Sequence, residues 1–204
     1  MPITPYTGMV DSALRFKGQP ALWVAIGRTT PWINEAKPPN ENDFNTYPQF
    51  INMHQPDELI GFKRIEVAQL CVPDVDGEVR YKAPGGQIQR FKLIDDTEAL
   101  DLMARWVYIR ASFDYVERNS AGEGIIGFVT YRQTAIFSDL KVLKPYQEEI
   151  AVSPNQVETY PPDYPVERLR NKVKGRMVYY CNHHARERDV TMRDIIEIVR
   201  EFRG

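Results

Sequence analysis

The stretch "LWVAIGRTTPW", residues 22–32, predicts the first strand of the fold and the place where it ends. Five consecutive apolar residues at 22–26 are typical of a short strand that is buried on both faces. Gly27 interrupts the run, and a polar segment follows it. We therefore expect a core strand over 22–27 and a loop that begins directly after it.

The loop residues Gly27, Arg28, Pro31 and Trp32 are candidate structural or interface residues. We interpret them as an architectural turn, in which Pro31 rigidifies the exit and Trp32 packs back onto the protein or into a neighbour. Arg28 is expected to donate to buried carbonyls or to a carboxylate of the adjoining strand. The alternative is an anion-binding loop, which is the weaker interpretation because phosphate sites combine several donors and only one cation is present.

The remainder of the chain is rich in short β patterns and in turn residues. Strands are predicted at 61–72, 85–94, 105–116, 125–140 and 176–184, with a hairpin turn at Asp76-Gly77. Short helices are predicted at 10–17, at 95–104 with Leu100 and Met103 on one side, and at 166–175, whereas 190–204 fits a helix or a strand. We expect a mainly β protein, an antiparallel β-sandwich with long Pro-rich loops and one to three short helices, in a single domain over residues 1–204.

Two long loops are predicted, at about 31–56 and about 141–165, where prolines are frequent and no strand pattern is visible. The second loop contains Tyr146, Tyr160 and Tyr164, which are candidate interface residues because tyrosine gives a large contact area with few torsions to freeze. Loops of this kind are typical of proteins that reach several neighbours.

Composition excludes several classes of protein. The chain of 204 residues has a formal net charge of −2, so no basic excess indicates a nucleic-acid partner. No apolar run approaches the roughly 20 residues that span a bilayer, and no membrane partner is expected. Cys71 and Cys181 are too few for a disulfide scaffold, and reduced thiols are the default expectation.

No catalytic or metal-binding motif is apparent. The chain has three histidines, His54, His183 and His184, and the adjacent pair points to opposite faces of a strand. Cys181 and His183 share a face but lack two further ligands for a closed metal site. We expect no metal, no cofactor and no enzyme activity; a small metal- or phosphate-binding enzyme on a β scaffold is the less favoured alternative.

Four segments, taken in order, resemble one known family. They are "IGRTTPW" (26–32), "WVYIRASFD" (106–114), "GFVTYRQTAIFSDL" (127–140) with its signature Tyr131-Arg132-Gln133, and "DYPVERLRNKVKGRMVYYCN" (163–182). In this collinear pattern the chain resembles the dimeric β-sandwich baseplate wedge protein of T-even-type contractile-tailed bacteriophages. It resembles a shortened relative, compact over 33–100 where larger members carry an insertion.

The resemblance implies a structural virion protein in the baseplate of a contractile tail, assembled in the host cytoplasm. It also implies a homodimer that bridges neighbouring baseplate wedge proteins, which we expect to occur through the extended loops. Another tail or neck connector protein is the alternative. Tyr131, Arg132 and Gln133 are expected on a core strand, with Arg132 in a structural role because a buried arginine must find acceptors.

Overall fold

The computed structural model describes residues 5–19, 22–39, 56–58, 61–82, 87–113, 129–142, 158–159, 173–188 and 193–203. The elements in chain order are α1 (Tyr6–Lys17), β1 (Leu22–Gly27), β2 (Gly61–Arg64), β3 (Val67–Pro73), β4 (Val79–Lys82), β5 (Ile88–Leu93), a 3₁₀ turn (Asp96–Glu98), β6 (Trp106–Phe113), β7 (Val129–Val142), β8 (Glu158–Thr159), β9 (Val173–Arg188) and β10 (Asp194–Glu201). The prediction of a mainly β, antiparallel fold with few helices is confirmed. Within the described ranges, no helix has the length and apolar character needed to cross a bilayer.

The chain forms two compact units, each built on one five-stranded sheet. The site unit comprises residues 21–64 and 113–194 and contains sheet A, with strand order β8-β2-β1-β7-β9. The helix unit contains α1 and sheet B, with strand order β10-β6-β3-β5-β4; it comprises residues 1–20, 65–112 and 195–204. The single-domain organisation stays a prediction.

Strand β1 is the centre of sheet A, as its apolar run predicted. All six of its residues are buried, and it pairs antiparallel with β2 on one side and β7 on the other. The register with β7 begins at Leu22 opposite Ser138 and ends at Gly27 opposite Gln133. The end of β1 therefore lies beside the Tyr131-Arg132-Gln133 signature of β7.

The predicted strand over 61–72 is two strands that belong to different sheets. β2 pairs with β1 in sheet A, whereas β3 pairs with β5 and β6 in sheet B. The break falls at Glu66, whose carboxylate accepts hydrogen bonds from the Ser112 amide at 3.1 Å and hydroxyl at 2.5 Å. Apolar and polar residues continue to alternate through this point, so the sequence pattern predicted one strand where the structure has two.

The predicted hairpin at Asp76-Gly77 is wrong, although the turn itself is present. β3 and β4 do not pair; β5 lies between them, and Phe91 of β5 is opposite Pro73 on one side and Val79 on the other. The connecting loop thus crosses β5 at Phe91. A Cβ at Gly77 would lie 2.3 Å from the Phe91 carbonyl carbon, so only glycine permits this crossing without displacement of the backbone.

Four other predictions are settled by the structure. The predicted helix at 10–17 lies within α1, and the ambiguous C-terminal segment is the strand β10. The helix predicted at 166–175 is wrong for its last three residues, which begin β9, while its other residues lie outside the described ranges. The second long loop contains the two-residue strand β8, paired with β2, so the expectation of no strand there is also wrong.

The helix predicted at 95–104 is a 3₁₀ turn followed by a Schellman-type ending. The Met103 amide donates to Leu100 O at 3.2 Å and the Ala104 amide donates to Ala99 O at 2.8 Å, with Met103 in the left-handed region at φ 50°. Leu100 and Met103 do not form a buried face: they are 61% and 52% exposed. Glycine is the residue favoured at this position because a Cβ strains the left-handed backbone.

Met103→Gly is expected to increase the free energy of unfolding by about 1 kcal/mol, because it removes this backbone strain and loses only an exposed side chain. Urea denaturation of the purified chain measures the change. Met103→Ala is the matched control, because it removes the side-chain atoms beyond the Cβ but keeps the Cβ that strains the backbone. Its free energy of unfolding should stay close to that of the wild type. Equal stabilisation by both substitutions would contradict the backbone explanation.

Candidate functional site

The β1–β7 register brings together the two motifs that the sequence singled out. Gly27 is opposite Gln133, so the chain that leaves β1 passes beside Arg132. A Cβ at Gly27 would lie 2.5 Å from the Pro56 Cβ and 2.7 Å from Asp57 O. The absence of a side chain at Gly27 therefore lets the end of the first long loop pack against the end of β1.

Arg28 holds this close approach in place. Its amide donates to Asp57 O at 2.5 Å, and its guanidinium donates to the Asp57 carboxylate at 2.9 Å and to Pro31 O at 3.4 Å. The guanidinium carbon lies 4.0 Å from the centre of the Trp32 ring, a cation–π contact. Arg28 is buried and has a left-handed backbone at φ 59°, a strained conformation that these contacts stabilise.

Trp32 is 3% exposed and packs back onto its own chain. Its indole N–H donates to the His183 carbonyl of β9 at 2.9 Å, and its amide donates to Glu35 Oε1 at 2.8 Å. The loop after β1 therefore lies along the outer strand of sheet A, and the His183 carbonyl has a hydrogen-bond donor there.

Arg132 is the second buried guanidinium of the site. Its Nε donates to Glu35 Oε1 at 2.7 Å, and its Nη1 donates to the Thr29 carbonyl. Burial raises the pKa of Glu35, but the hydrogen bonds from the Trp32 amide and from Arg132 outweigh burial and hold that pKa below its ordinary value. The Glu35 carboxylate thus stays ionised between two donors.

Glu58 binds the two threonines of the motif. Its carboxylate accepts hydrogen bonds from the amides of Thr29 at 2.7 Å and Thr30 at 2.9 Å, and from both threonine hydroxyls. Burial raises the pKa of Glu58, whereas these four donors lower it, and the net result is a pKa below the ordinary value. Both threonines therefore donate to a carboxylate of their own chain.

Gln133 and Asn182 extend the same arrangement across sheet A. The Gln133 side chain accepts from the Asp57 amide at 2.7 Å and donates to Asn182 Oδ1 at 2.9 Å. Asn182 Nδ2 in turn donates to Pro39 O at 3.0 Å. We call the whole set the strand-end network; its members are Arg28, Thr29, Thr30, Trp32, Glu35, Asp57, Glu58, Arg132, Gln133 and Asn182.

His183 lies beside this network with both ring nitrogens engaged. Nε2 is 3.0 Å from the Thr134 hydroxyl, and Nδ1 is 2.8 Å from the His184 carbonyl, so Nδ1 carries the proton of the neutral ring. The ring also meets Tyr131 edge-on at 5.4 Å between centroids. Burial lowers the pKa of His183 to about 4, which keeps the ring neutral near pH 7.

The arrangement joins loops to a sheet rather than presenting reactive groups. Arg28 contacts a carboxylate, a carbonyl and an indole ring, which favours the architectural interpretation over an anion-binding loop. The described residues include no group of three or more His, Cys, Asp or Glu side chains able to hold a metal ion. Both cysteines are free thiols, and burial raises the pKa of Cys71 to about 12.

Sequence reasoning missed several members of the strand-end network, namely Glu35, Asp57, Glu58 and Asn182. Asp57, Glu58 and Asn182 lie far along the chain from the residues they contact, and Glu35, although close to Trp32, is far from Arg132; no spacing pattern marks any of them. The predicted candidates Tyr146, Tyr160 and Tyr164 lie outside the described residues. Their interface role, and that of the other candidates, stays a prediction.

Arg132→Ala is expected to lower the free energy of unfolding by about 2–3 kcal/mol, because it removes the Arg132 donor of the Thr29 carbonyl and leaves the Glu35 carboxylate with the Trp32 amide but without its cation. Thermal or urea unfolding measures the loss. Arg15→Ala is the matched control, since Arg15 pairs with Asp11 on the surface of α1 and its side chain is 79% exposed; a change within about 0.5 kcal/mol is expected there. Equal losses in the two variants would contradict the network's role.

Acid should destabilise the chain through His183. The pKa of His183 is about 4 in the folded state and 6.5 in the unfolded state, so protonation of this ring favours unfolding. Above about pH 6.5 the ring is neutral in both states and stability is unaffected, whereas stability declines as the pH falls from 6.5 towards 4. Between pH 7.5 and 5 the loss is at most about 2 kcal/mol. His183→Gln should show a correspondingly smaller decline when urea unfolding is measured across this range, and a decline equal to that of the wild type would contradict this explanation.

Comparison with known proteins identifies relatives in bacteriophages. The family model described as "Baseplate wedge 3 tail fiber network component" matches residues 1–202. "Virion protein 3" of Enterococcus phage phiEF24C is 30% identical over 161 residues, which cover 77% of this chain and 78% of that protein. The resemblance to a phage baseplate wedge protein is thereby confirmed, and the chain belongs to the family of baseplate wedge 3 tail fiber network components.

Proposed function

We propose that this chain is a wedge subunit in the baseplate of a contractile phage tail, in which it bridges neighbouring wedge proteins through its two long loops. The observation that carries the proposal is the match of the baseplate wedge family model to nearly the whole chain. Membership of this family indicates a structural protein of the phage virion.

The strand-end network supports the bridging role of the first long loop, residues 31–56. The start of this loop is held through Trp32 and Pro39, which contact β9, and the residue after its end, Asp57, is held by Arg28 and Gln133. Both ends are thus fixed at one place on sheet A. Fixing both ends of a segment limits the conformations open to it and so lowers the entropic cost of docking.

The second long loop has one described anchor. β8 pairs with β2 through Gly61 opposite Thr159 and Phe62 opposite Glu158. Residues 143–157, which include Tyr146, are the part between β7 and β8. We propose that this part binds a neighbouring subunit, because Pro145 and Pro154 limit the freedom of the unbound chain and a tyrosine such as Tyr146 suits a docking groove.

We also propose a structural rather than a catalytic role, without a cofactor. The chemistry of the described site supports this proposal, since its carboxylates and guanidinium groups are matched with one another. Assembly in the host cytoplasm and self-association as a homodimer complete the proposal.

Limited proteolysis tests the bridging role. In the isolated chain, trypsin is expected to cut between Lys144 and Arg168 before it cuts β6 or β7, because a loop without a partner offers accessible bonds. In the assembled baseplate the same bonds should be protected. Equal cleavage in both states would overturn the proposal that this loop binds a neighbour.

A deletion of residues 145–154 gives an independent test, because it removes Tyr146 and leaves β7 and β8 in place. The shortened chain should unfold at the same temperature as the wild type and fail to enter baseplates in an in vitro assembly assay. A matched replacement of the same residues by a Gly/Ser segment of equal length should also fold and fail to assemble. Normal assembly of either variant would show that the loop is a tolerated surface segment.

A further inference from the structure

One face of the β4–β5 ribbon in the helix unit is strongly basic. Arg80 is directly opposite Arg90, Lys82 is opposite Ile88, and Lys92 follows on the same face of β5. All five side chains belong to exposed residues, and Ile88 is 52% exposed. We call this set the basic face.

The basic face is electrostatically unfavourable in the isolated chain. Like charges directly opposite each other across two strands repel, as Arg80 and Arg90 do. Among the described residues, none of the four cations forms an ion pair with a carboxylate. In a chain with a net charge of −2, an unmatched group of four cations indicates an acidic partner.

Protection of a sheet edge does not explain the basic face. Charged residues commonly prevent edge strands from pairing with other chains, and this accounts for Arg80 and Lys82 on the edge strand β4. Arg90 and Lys92 lie on β5, which is flanked by β3 and β4 and has no free edge over its paired residues. Edge protection therefore accounts for the cations of β4 but not for those of β5.

An acidic surface of complementary character follows β5 directly. The segment 95–103, which we call the acidic turn, exposes three apolar side chains, with Leu100 61%, Leu102 43% and Met103 52% exposed. Four exposed carboxylate residues surround them in sequence: Asp95, Asp96, Glu98 and Asp101. Only Asp96 has a cation, Lys17 at 2.5 Å, in the described part of this segment.

Two buried residues hold the backbone of the acidic turn against the rest of the helix unit. Ala99 lies within the turn and Ala104 directly follows it; both are buried, and the Ala104 amide donates to the Ala99 carbonyl at 2.8 Å. Met103 keeps a large exposed side chain at a left-handed position where glycine would be less strained. A costly local conformation that presents an apolar side chain to solvent is typical of a contact surface.

We propose that a second copy of this chain binds here, with the acidic turn of each copy docked on the basic face of the other. Carboxylates around an apolar centre meet cations around Ile88, and the stems of the arginines and lysines add apolar contact. The acidic turn begins two residues after β5 ends, so both surfaces lie along one strand direction. A two-fold axis would place β5 of the second copy in the opposite direction. Each acidic turn would then meet the basic face of the other copy, and the two equivalent contacts would close the dimer.

Charge reversal on each surface tests the proposal. Multi-angle light scattering of the wild type should give about twice the 23.7 kDa chain mass, with dissociation favoured as salt rises from about 0.05 to 0.5 M. The double variants Arg80→Glu/Arg90→Glu and Asp96→Lys/Asp101→Lys should each weaken self-association at least about tenfold. When the two variants are mixed, their surfaces become complementary again, and a heterodimer should form.

Controls separate the interface from folding. Arg15→Glu reverses an exposed charge on α1 and should leave association unchanged, and the neutral pairs Arg80→Gln/Arg90→Gln and Asp96→Asn/Asp101→Asn repeat the test if a reversed variant fails to fold. Met103→Gly should raise the unfolding temperature and weaken association at least about threefold, two effects of opposite sign that a purely structural residue does not produce.

Three results would overturn the proposal: a monomeric wild type, a dimer unaffected by both double variants, or a mixture that forms no heterodimer. Binding of duplex DNA by a monomeric wild type, lost in Arg80→Glu/Arg90→Glu, would also overturn it. The inference rests on the homodimer of the proposed function, and the two remain separable. A dimer unaffected by both double variants would remove this surface alone and leave the homodimer intact, whereas a monomer whose loops are protected in the baseplate would remove the homodimer as well and leave only the bridging role.

Discussion

The burial of two guanidinium groups, Arg28 and Arg132, is the constraint on which the site unit depends. A buried cation requires matched acceptors, and the described side chains of β1 and β7 include no carboxylate. The carboxylates come from the loops, Asp57 for Arg28 and Glu35 for Arg132. These two ion pairs compensate the burial of the guanidinium groups. They also fix the start and the end of the first long loop on sheet A.

Three residues other than glycine have left-handed backbones in the described part of the chain, and they fall into two groups. Arg28 and Glu58 both have left-handed backbones, at φ 59° and 48°, and both are held by several hydrogen bonds within the strand-end network. Met103 has the same type of backbone on an exposed turn, where its side chain is half exposed. Strain inside the network is compensated by the chain itself, whereas strain in the acidic turn is compensated by a partner in the proposed dimer.

The strands could be predicted from the sequence where burial alone decides the structure. The apolar run of β1 and the aromatic and β-branched run of β6 show this. Prediction failed where tertiary contacts decide: alternation continues through Glu66 although the chain changes sheets there, and the Asp76-Gly77 turn lacks the pairing that usually accompanies it. At the site, the sequence indicated Arg28 and Arg132 but not Asp57 or Glu58, because the register of distant strands brings those residues to the motif.

The crossing of β5 at Gly77 has a consequence for the order in which the helix unit folds. β3 and β4 precede β5 along the chain yet flank it in the sheet, so neither can complete its ladder until β5 has arrived between them. The local hairpin of β4 and β5 closes a short loop and forms quickly, whereas its docking beside β3 requires the backbone at Gly77 to pass against Phe91. We therefore expect a preformed β4–β5 hairpin to insert beside β3, rather than strands to add stepwise from the N-terminus. The outer half of sheet B, with its row of cations, thus becomes ordered in one cooperative event.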